Sequence, residues 1–252
     1  MLKIRKVQMV ELAKVSLKSF EDDMVEHIKK FFPKYHEVMG EPTVRKGIRY
    51  GIDRAKVYGF TTERDVCLYI NLMFLLGSNF DTDVQLPWLA DILTDEAGME
   101  AAARMDKVYD AALKYLDDVA GVENEHAGRA LKTIPGIPFD DFSLSATGNI
   151  ENRIGGTIRK IWPRKVARLG EELTRGLIRK GIGNAGRYGI TFDRGVAIYV
   201  VFMFMAGSGF DRDPLFPWAG AVLAEKSIAD QSARVGRLYG EMMAFLEKWS
   251  AS

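Results

Sequence analysis

The chain has 252 residues, of which 47% are hydrophobic and 27% charged. These proportions are typical of globular proteins and exclude a disordered or collagen-like chain. The formal net charge is +1, so total charge alone does not favour a polyanionic partner. The single cysteine, Cys67, excludes an internal disulfide and a zinc site built from several cysteines, and three separated histidines leave little room for a histidine-based metal centre.

The chain shows no targeting or membrane-spanning pattern. Charged residues interrupt the N-terminus too early for the apolar stretch of ~7–15 residues that a signal peptide needs. The longest apolar run, residues 196–206, has eleven residues, whereas a membrane-spanning helix needs about 20. We therefore expect a cytoplasmic protein without membrane association, with this run in its core.

An internal repeat organises the sequence. A shift of 130 residues aligns 23–116 with 153–246 without a gap. Roughly 30 of the aligned positions are identical, far above the one in ~15–20 expected from composition. We predict an N-terminal helical repeat over 1–118, a connector over 119–152 and a C-terminal helical repeat over 153–252, packed as one globular unit.

Apolar periodicity, proline and glycine predict the helices. In the first repeat the predicted helices cover, in chain order, 8–32, 43–58, 66–76, a short segment from Pro87, and 99–119. In the second they cover 173–188, 196–206, a short segment from Pro217, and 228–249. Thr61 or Thr62, and Thr191 in the second repeat, are candidate N-caps of the apolar helix. That helix ends at Gly77 or Gly207, a residue suited to a left-handed C-terminal cap.

These elements predict an all-α protein with two pseudo-symmetric halves of about five helices each. The run 196–204 is rich in strand-forming residues, but the cap signals around its counterpart 66–76 favour a helix. We expect the halves to pack together through the apolar helices at 66–76 and 196–206. The glycines and prolines of the connector 119–152 predict a loop with at most brief secondary structure.

The sequence Phe-Asp-x-Asp occurs in both repeats, with Asp81 and Asp83 in the first and Asp211 and Asp213 in the second. Two carboxylates at i and i+2 in a loop can chelate Mg²⁺ or Ca²⁺, so a metal-dependent enzyme is one alternative. No further oxygen ligands occur at a fixed spacing. The simpler interpretation is that the aspartates close a turn and cap the following helix. We assign no metal, no cofactor and no catalytic residue.

Two further residue pairs of the repeat are interpreted as structural. Trp88 and Trp218 each follow a proline at a helix start, where we expect the indole to pack the loop onto the core. Arg64 and Arg194 lie at the opening of the apolar helix, where the helix dipole is mildly unfavourable for a cation. We expect a salt bridge from each to a carboxylate of the Asp-x-Asp loop, in preference to anion binding.

The near-zero net charge hides a local bias. Residues 153–189 contain ten basic and two acidic side chains, and 29–59 contain eight and three. The candidate partner-binding basic face consists of Arg45, Arg49, Arg175, Arg179, Lys160 and Arg164. Such a surface could contact an acidic protein. Alternatively, it could simply be a solvated helix surface, or its basic helices could lie against acidic helices inside the fold. Nucleic acid is disfavoured because no known motif and no stacking aromatic pattern accompanies the basic residues.

Gly-Ile-x-x-Ala-x-x-Tyr-Gly at 51–59 and 181–189, and Phe-Asp-x-Asp-x-x-x-Pro-Trp at 80–88 and 210–218, form an ordered set of motifs. With the opening Ile4-Arg5-x-x-Gln8-Met9, they resemble a group of bacterial proteins encoded in type VI secretion loci, beside PAAR-type and VgrG-type spike components and toxic effectors. The resemblance covers mainly residues 1–96. It implies a cytoplasmic effector chaperone, a spike adaptor or an immunity protein, and it carries no catalytic assignment.

The repeat, the uneven charge and the lack of a catalytic constellation together predict a non-enzymatic protein-binding helper. A chaperone or adaptor for a type VI effector or spike component is the first expectation. The alternatives are an immunity protein that neutralises a cognate toxin, and the metal-dependent enzyme described above. The sequence leaves open the partner, the oligomeric state and which half binds.

Overall fold

The structure is a computed structural model that describes residues 6–95, 98–137, 139 and 148–251. The described chain is all-α, as predicted, and contains no strand. Its helices are α1 (Lys6–Phe31), α2 (Pro33–Met39), α3 (Glu41–Val57), α4 (Glu63–Leu76), α5 (Pro87–Leu93), α6 (Ala101–Ala120), α7 (Glu125–Thr133), α8 (Ile150–Ile161), α9 (Pro163–Arg187), α10 (Asp193–Ala206), α11 (Pro217–Ala224) and α12 (Gln231–Ala251).

Several helix bounds recur at the 130-residue spacing of the sequence repeat. Helices α4 and α10 correspond residue for residue, and α5 and α11 begin at equivalent prolines. Between them, 3-10 turns over Phe80–Thr82 and Phe210–Arg212 contain the first aspartate of each Asp-x-Asp pair. Each half therefore presents an apolar helix, a tight turn and a short helix in the same order.

The ends of the apolar helices follow the prediction at three of four positions. The Thr62 hydroxyl accepts the Asp65 N–H at 3.1 Å and caps α4. Gly77 and Gly207 follow α4 and α10 with φ of 98° and 102°, where only glycine is unstrained. The prediction for Thr191 is wrong, because Phe192, which has no acceptor, occupies the cap position of α10. Thr191 instead donates to the side-chain oxygen of Gln231.

One prediction about an irregular segment is wrong. The connector contains the helix α7 and the start of α8, so the part of it that the structure describes is not simply loop. Pro33 ends α1 but also begins α2, because proline suits the first helical position. The same holds for Pro163 and α9, which is broken at Gly170 with a φ of 77°.

The two halves do not pack along their apolar helices as predicted. Helix α4 lies between α3 and α6, and α10 lies among α8, α9 and α12, so each is covered by its own half. The halves meet where α2 packs on α12 and α6 packs on α9. The C-terminal ends of α4 and α10 also approach closely, because a β-carbon on Gly77 would lie 2.8 Å from the carbonyl oxygen of Ala206.

The core extends through both halves. The largest fully buried side chains are aromatic and pack in equivalent tilted pairs, such as Tyr69 with Phe80 and Tyr199 with Phe210, each with ring centroids 4.8 Å apart. Burial of this kind supplies most of the stabilisation of an all-α fold. Across the described residues, we find no helix with the length and apolar character needed to cross a bilayer.

Gly181 makes the crossing of α9 and α10 possible. A β-carbon there would lie 2.6 Å from Cγ2 of Val200, whereas one on Gly176 would meet no atom within 4 Å. We predict that Gly181→Ala lowers the free energy of unfolding by about 1–3 kcal/mol through overpacking, although alanine is the better helix former by about 1 kcal/mol. The control Gly176→Ala should be stabilising. Urea titration measures both, and equal stabilisation of the two variants would contradict the close crossing.

Candidate functional site

The second aspartate of each Asp-x-Asp pair reaches into the other half of the molecule. Asp83 Oδ2 accepts the backbone N–H of Ser208 at 2.8 Å, and Asp213 Oδ2 accepts that of Ser78 at 2.9 Å. Both carboxylates are buried, at 6% and 3% exposure. Hydrogen bonds from a backbone N–H to a buried carboxylate are among the stronger ones in proteins. These reciprocal bonds join the halves at the ends of α4 and α10.

The other oxygen of each carboxylate closes the turn of its own half. Asp83 Oδ1 accepts the N–H of Gln85, and Asp213 Oδ1 accepts that of Leu215, both at 2.8 Å. The predicted turn closure is therefore present, but the predicted helix cap is not, because neither α5 nor α11 has a side-chain cap. Burial raises the pKa of Asp213, and the N–H donors of Ser78 and Leu215 oppose that rise.

The first aspartate of each pair remains inside its own half. Asp81 accepts hydrogen bonds from the Arg54 guanidinium and from the Tyr58 hydroxyl, the latter at 3.0 Å. Asp211 accepts from the Tyr188 hydroxyl at 2.8 Å. These bonds fasten the 3-10 turns to the helices α3 and α9.

This arrangement does not suit a cation. Both oxygens of Asp83 and of Asp213 point at N–H donors, whereas a Mg²⁺ or Ca²⁺ site needs oxygens that converge on one point. Among the described residues, no group of three His, Cys, Asp or Glu side chains has the geometry to hold a metal ion. The Asp-x-Asp loops thus give no structural support to the metal-dependent alternative.

The predicted partners of Arg64 and Arg194 are wrong. Arg64 pairs with Asp106 on α6 and with its neighbour Asp65. The Arg194 guanidinium lies over the ring of Phe139, 4.3 Å from its centroid. Both arginines begin helices whose other end carries the Asp-x-Asp loop, so the length of α4 or α10 separates them from it.

Trp88 and Trp218 pack inward, in agreement with the structural interpretation. The Trp88 ring lies 5.6 Å from that of Tyr115, and the Trp218 ring lies 5.2 Å from that of Phe202. Each indole thereby holds the short helix α5 or α11 against its half.

The arginines of the predicted basic face are largely paired within the fold. Arg45 and Arg49 both bind Glu21 on α1, at 3.0 and 2.7 Å, and these guanidinium groups lower the pKa of that carboxyl. In the second half, Arg179 binds Glu151, the equivalent of Glu21, at 3.1 Å, and Arg175 binds Glu171 on its own helix at 2.9 Å, as Arg45 also binds Glu41.

Lys160 and Arg164 are exposed, on α8 and at the start of α9. Carboxylates of the same chain thus bind the four arginines, but Arg49, Arg175 and Arg179 are more than half exposed. The face therefore combines a solvated helix surface with ion pairs inside the fold.

A cleft between the two halves is a better candidate for the binding site than the basic face, and sequence analysis missed it. Its volume is about 710 Å³, within the ~300–1,000 Å³ range of ligand sites. Its walls are mostly apolar and come from α2, α4, α6, α7, α9 and α12, with the C-terminal ends of α1 and α10. Aromatic side chains of both halves line it: Phe32, Tyr35, Phe74, Tyr115, Trp162 and Trp249.

A few polar groups interrupt the apolar wall. Asp83 and Gln85 line the cleft beside the bonds that join the halves, and Lys165 and Tyr115 lie near them. The Lys165 ammonium donates to the carbonyl oxygen of Phe204 at 2.6 Å and lies 4.9 Å from the centroid of its ring. Burial lowers the pKa of Lys165 to about 8, against the opposing charge of Asp83.

His27, Cys67 and Asn71 form another cluster that sequence analysis missed. Nε2 of His27 lies 2.9 Å from Asn71 Oδ1 and 3.8 Å from Cys67 Sγ. A cysteine–histidine–asparagine catalytic arrangement uses the two ring nitrogens separately, whereas here one nitrogen faces both partners. Burial also raises the pKa of Cys67, which disfavours the thiolate. The cluster is a packing feature of α1 and α4.

Comparison with known proteins identifies no relative. The chain matches no protein-family model, and neither a curated protein nor a solved structure is significantly similar to it.

The reciprocal bonds generate a prediction for Asp83. In Asp83→Asn, one acceptor oxygen becomes an amide group whose N–H faces a backbone N–H. We expect the free energy of unfolding to fall by about 1–3 kcal/mol, because a buried donor loses its partner. The exposed Asp110 supplies a control, since Asp110→Asn should change the free energy of unfolding by no more than about 0.5 kcal/mol. Similar urea midpoints for the two variants would show that the hydrogen bonds of Asp83 contribute little to stability.

Lys165 generates a pH prediction. Burial lowers its pKa to about 8 in the fold, below the 10.5 of an ordinary lysine, so between these pH values the unfolded chain binds more protons than the folded chain. Stability then rises with pH over this window. Wild type should gain stability relative to Lys165→Met between pH 7.5 and pH 9.5, as measured by urea titration. A stability difference between wild type and Lys165→Met that stays constant with pH would contradict the burial of the ammonium.

Proposed function

We propose that the protein is a non-enzymatic binding protein that holds an apolar segment of a partner protein in the cleft between its halves. One observation carries the proposal, namely the cleft of about 710 Å³ with aromatic walls from both halves. Such walls bury large apolar side chains with specific geometry and little loss of rotamer freedom. The few polar groups at one end would orient what enters.

The mouth of the cleft favours a protein over a small molecule. Phe31, which lines the cleft, is 59% exposed, and Val122, next to the cleft-lining Glu123, is 76% exposed. A small ligand seated inside would leave both side chains in water. A protein segment that continues out of the cleft would cover Phe31, and an exposed large apolar side chain at the edge of an apolar cleft is typical of a protein contact site.

The charge distribution favours the cleft over the basic face as the partner-binding site. Arg45, Arg49, Arg175 and Arg179 already bind carboxylates of the same chain. A partner that used them would have to replace these ion pairs and would gain little, because exposed ion pairs contribute about 0–1 kcal/mol each.

The cellular role that we propose is a cytoplasmic chaperone or adaptor for a type VI secretion effector or spike component. Its support is the resemblance of the motifs in residues 1–96 to proteins of such loci. A chaperone would shield an apolar segment of its client, and the cleft suits that task. An immunity protein that neutralises a cognate toxin is the alternative role under the same resemblance.

Site-specific photo-crosslinking in bacterial cells tests the proposal. We expect a benzophenone amino acid at Phe31 to give a discrete adduct with one protein, because that side chain lies at the mouth of the cleft. The same amino acid at Leu173, which is 43% exposed and outside the cleft, should give none. Equal adducts at both positions, or none at Phe31, would contradict a partner seated on the cleft.

A further inference from the structure

The two halves meet at two equivalent pairs of helices. Helix α6 is equivalent to α12, and the part of α9 before Gly170 is equivalent to α2, which is followed by Gly40. The two glycines have nearly equal φ values of 77° and 76°. Helix α2 packs on α12, and α9 packs on α6, where Arg168 Nε lies 3.7 Å from Asp118 Oδ2. The same helix pair therefore forms twice, and residues of both pairs line the cleft.

An aromatic cluster fills the first pair, α2 with α12. The centroid of the Trp249 ring on α12 lies 4.6 Å from that of the Tyr35 ring on α2 and 5.9 Å from that of the Phe245 ring. The Phe245 centroid lies 5.4 Å from that of Phe216, and the Lys34 ammonium lies 5.6 Å from the Trp249 centroid. Trp249 is thus the ring that bridges the two helices.

The second pair, α6 with α9, lacks most of these rings. Val119 stands in place of Trp249, Lys165 in place of Tyr35 and Leu86 in place of Phe216. Val119 and Trp249 lie just beyond the aligned ranges, but α6 and α12 continue through these positions without a break, so the register holds. Because valine is much smaller than tryptophan, the space that the indole fills in the first pair stays free in the second unless another group enters it.

The space beside Val119 is open to the cleft. Val119 and Lys165 line the cleft and are only half-buried, so a ligand can reach both side chains. Helix α7, which packs on α6, contributes the small residues Ala127 and Gly128 to the cleft wall. A β-carbon on Gly128 would meet no atom within 4 Å. The chain itself therefore leaves room on this side of the cleft.

The groups around this space favour an aromatic ring over an aliphatic side chain. In the first pair the Trp249 ring has the Lys34 ammonium beside it, and in the second pair Lys165 can supply the cation. The Lys165 ammonium already lies 4.9 Å from the centroid of the Phe204 ring. A cation is attracted to the face of an aromatic ring, most strongly to that of tryptophan, and the apolar stem of a lysine packs against such a ring.

We propose that this space receives one aromatic side chain of the partner segment, with an indole as the best fit. The ring would lie between Val119 and Lys165, as the Trp249 ring lies against Tyr35 in the first pair. The inference rests on the proposed function, in which a protein segment occupies the cleft. It adds that a tryptophan or phenylalanine anchors that segment on the side of the cleft formed by α6 and α9.

Two variants fill the proposed space from within. Val119→Trp introduces the side chain that the equivalent position already carries, and Gly128→Leu fills the wall from α7. The matched controls lie outside the cleft. They are Leu113→Trp, at a 40% exposed position of α6, and Gly176→Leu, where a β-carbon would likewise meet no atom within 4 Å. Leucine is a better helix former than glycine, so Gly128→Leu should fold even where Val119→Trp does not.

The probes are N-acetyl-tryptophanamide and N-acetyl-leucinamide, and chemical-shift titration of the isotope-labelled protein gives both dissociation constants. Wild type should bind the tryptophan amide at least about threefold more tightly than the leucine amide, because of the ring packing and the cation. The backbone amides of Val119 and Gly128 should shift on binding. Val119→Trp and Gly128→Leu should each weaken the tryptophan amide by at least about tenfold, since the ring loses its place of burial. The controls should keep the wild-type affinity within about twofold.

Three results would each overturn the inference: equal affinity for the two amides, no binding of the tryptophan amide, or wild-type affinity in the folded variants that fill the space. An aromatic preference at this site without a cross-linked partner would overturn only the proposed function. A cross-linked partner without that preference would overturn only the inference.

Discussion

The exchange of carboxylates between the halves is the interaction on which the rest of the structure depends. Asp83 and Asp213 each bind one backbone N–H of their own turn and one of the opposite half. Because all four bonds are buried, none can be replaced by water without opening the junction between the halves. The glycines that precede Ser78 and Ser208 allow the backbones to come this close, since a β-carbon on Gly207 would lie 3.1 Å from Asp83 Oδ2.

The cleft is a consequence of this junction. The halves meet at the ends of α4 and α10 and along α2 with α12 and α6 with α9. The aromatic faces between these contacts are therefore held near each other without filling the space. Asp83 also lines the cleft, so one carboxylate both joins the halves and accepts a hydrogen bond from the side chain of the cleft-lining Gln85.

The sequence predicted the all-α class and most helix positions, because the apolar period, the prolines and the caps act locally. It also identified the Asp-x-Asp residues. It did not predict that Asp83 and Asp213 bind the opposite half, because a repeat does not show whether its two copies contact each other. The partners of Arg64 and Arg194 could not be predicted, since tertiary packing places Asp106 and Phe139 beside them.

The cleft had a weak sequence signal, namely the positions where equivalent residues differ in polarity. Gln85 is matched by Leu215, and Tyr115 by Phe245, so the first half is polar where the second is apolar. Such differences point to a site only when the residues are known to share a surface. That these four positions line one cleft depends on how the halves pack and so required the structure.

Hydrogen exchange of two backbone amides tests the central claim, the reciprocal junction, most directly. The N–H groups of Ser78 and Ser208 should exchange only when the whole molecule unfolds, because each is bound by a buried carboxylate of the opposite half. Their opening free energies should therefore equal each other and the global free energy of unfolding. Exchange of either amide at a much lower free energy, as in a local opening of one loop, would contradict the account.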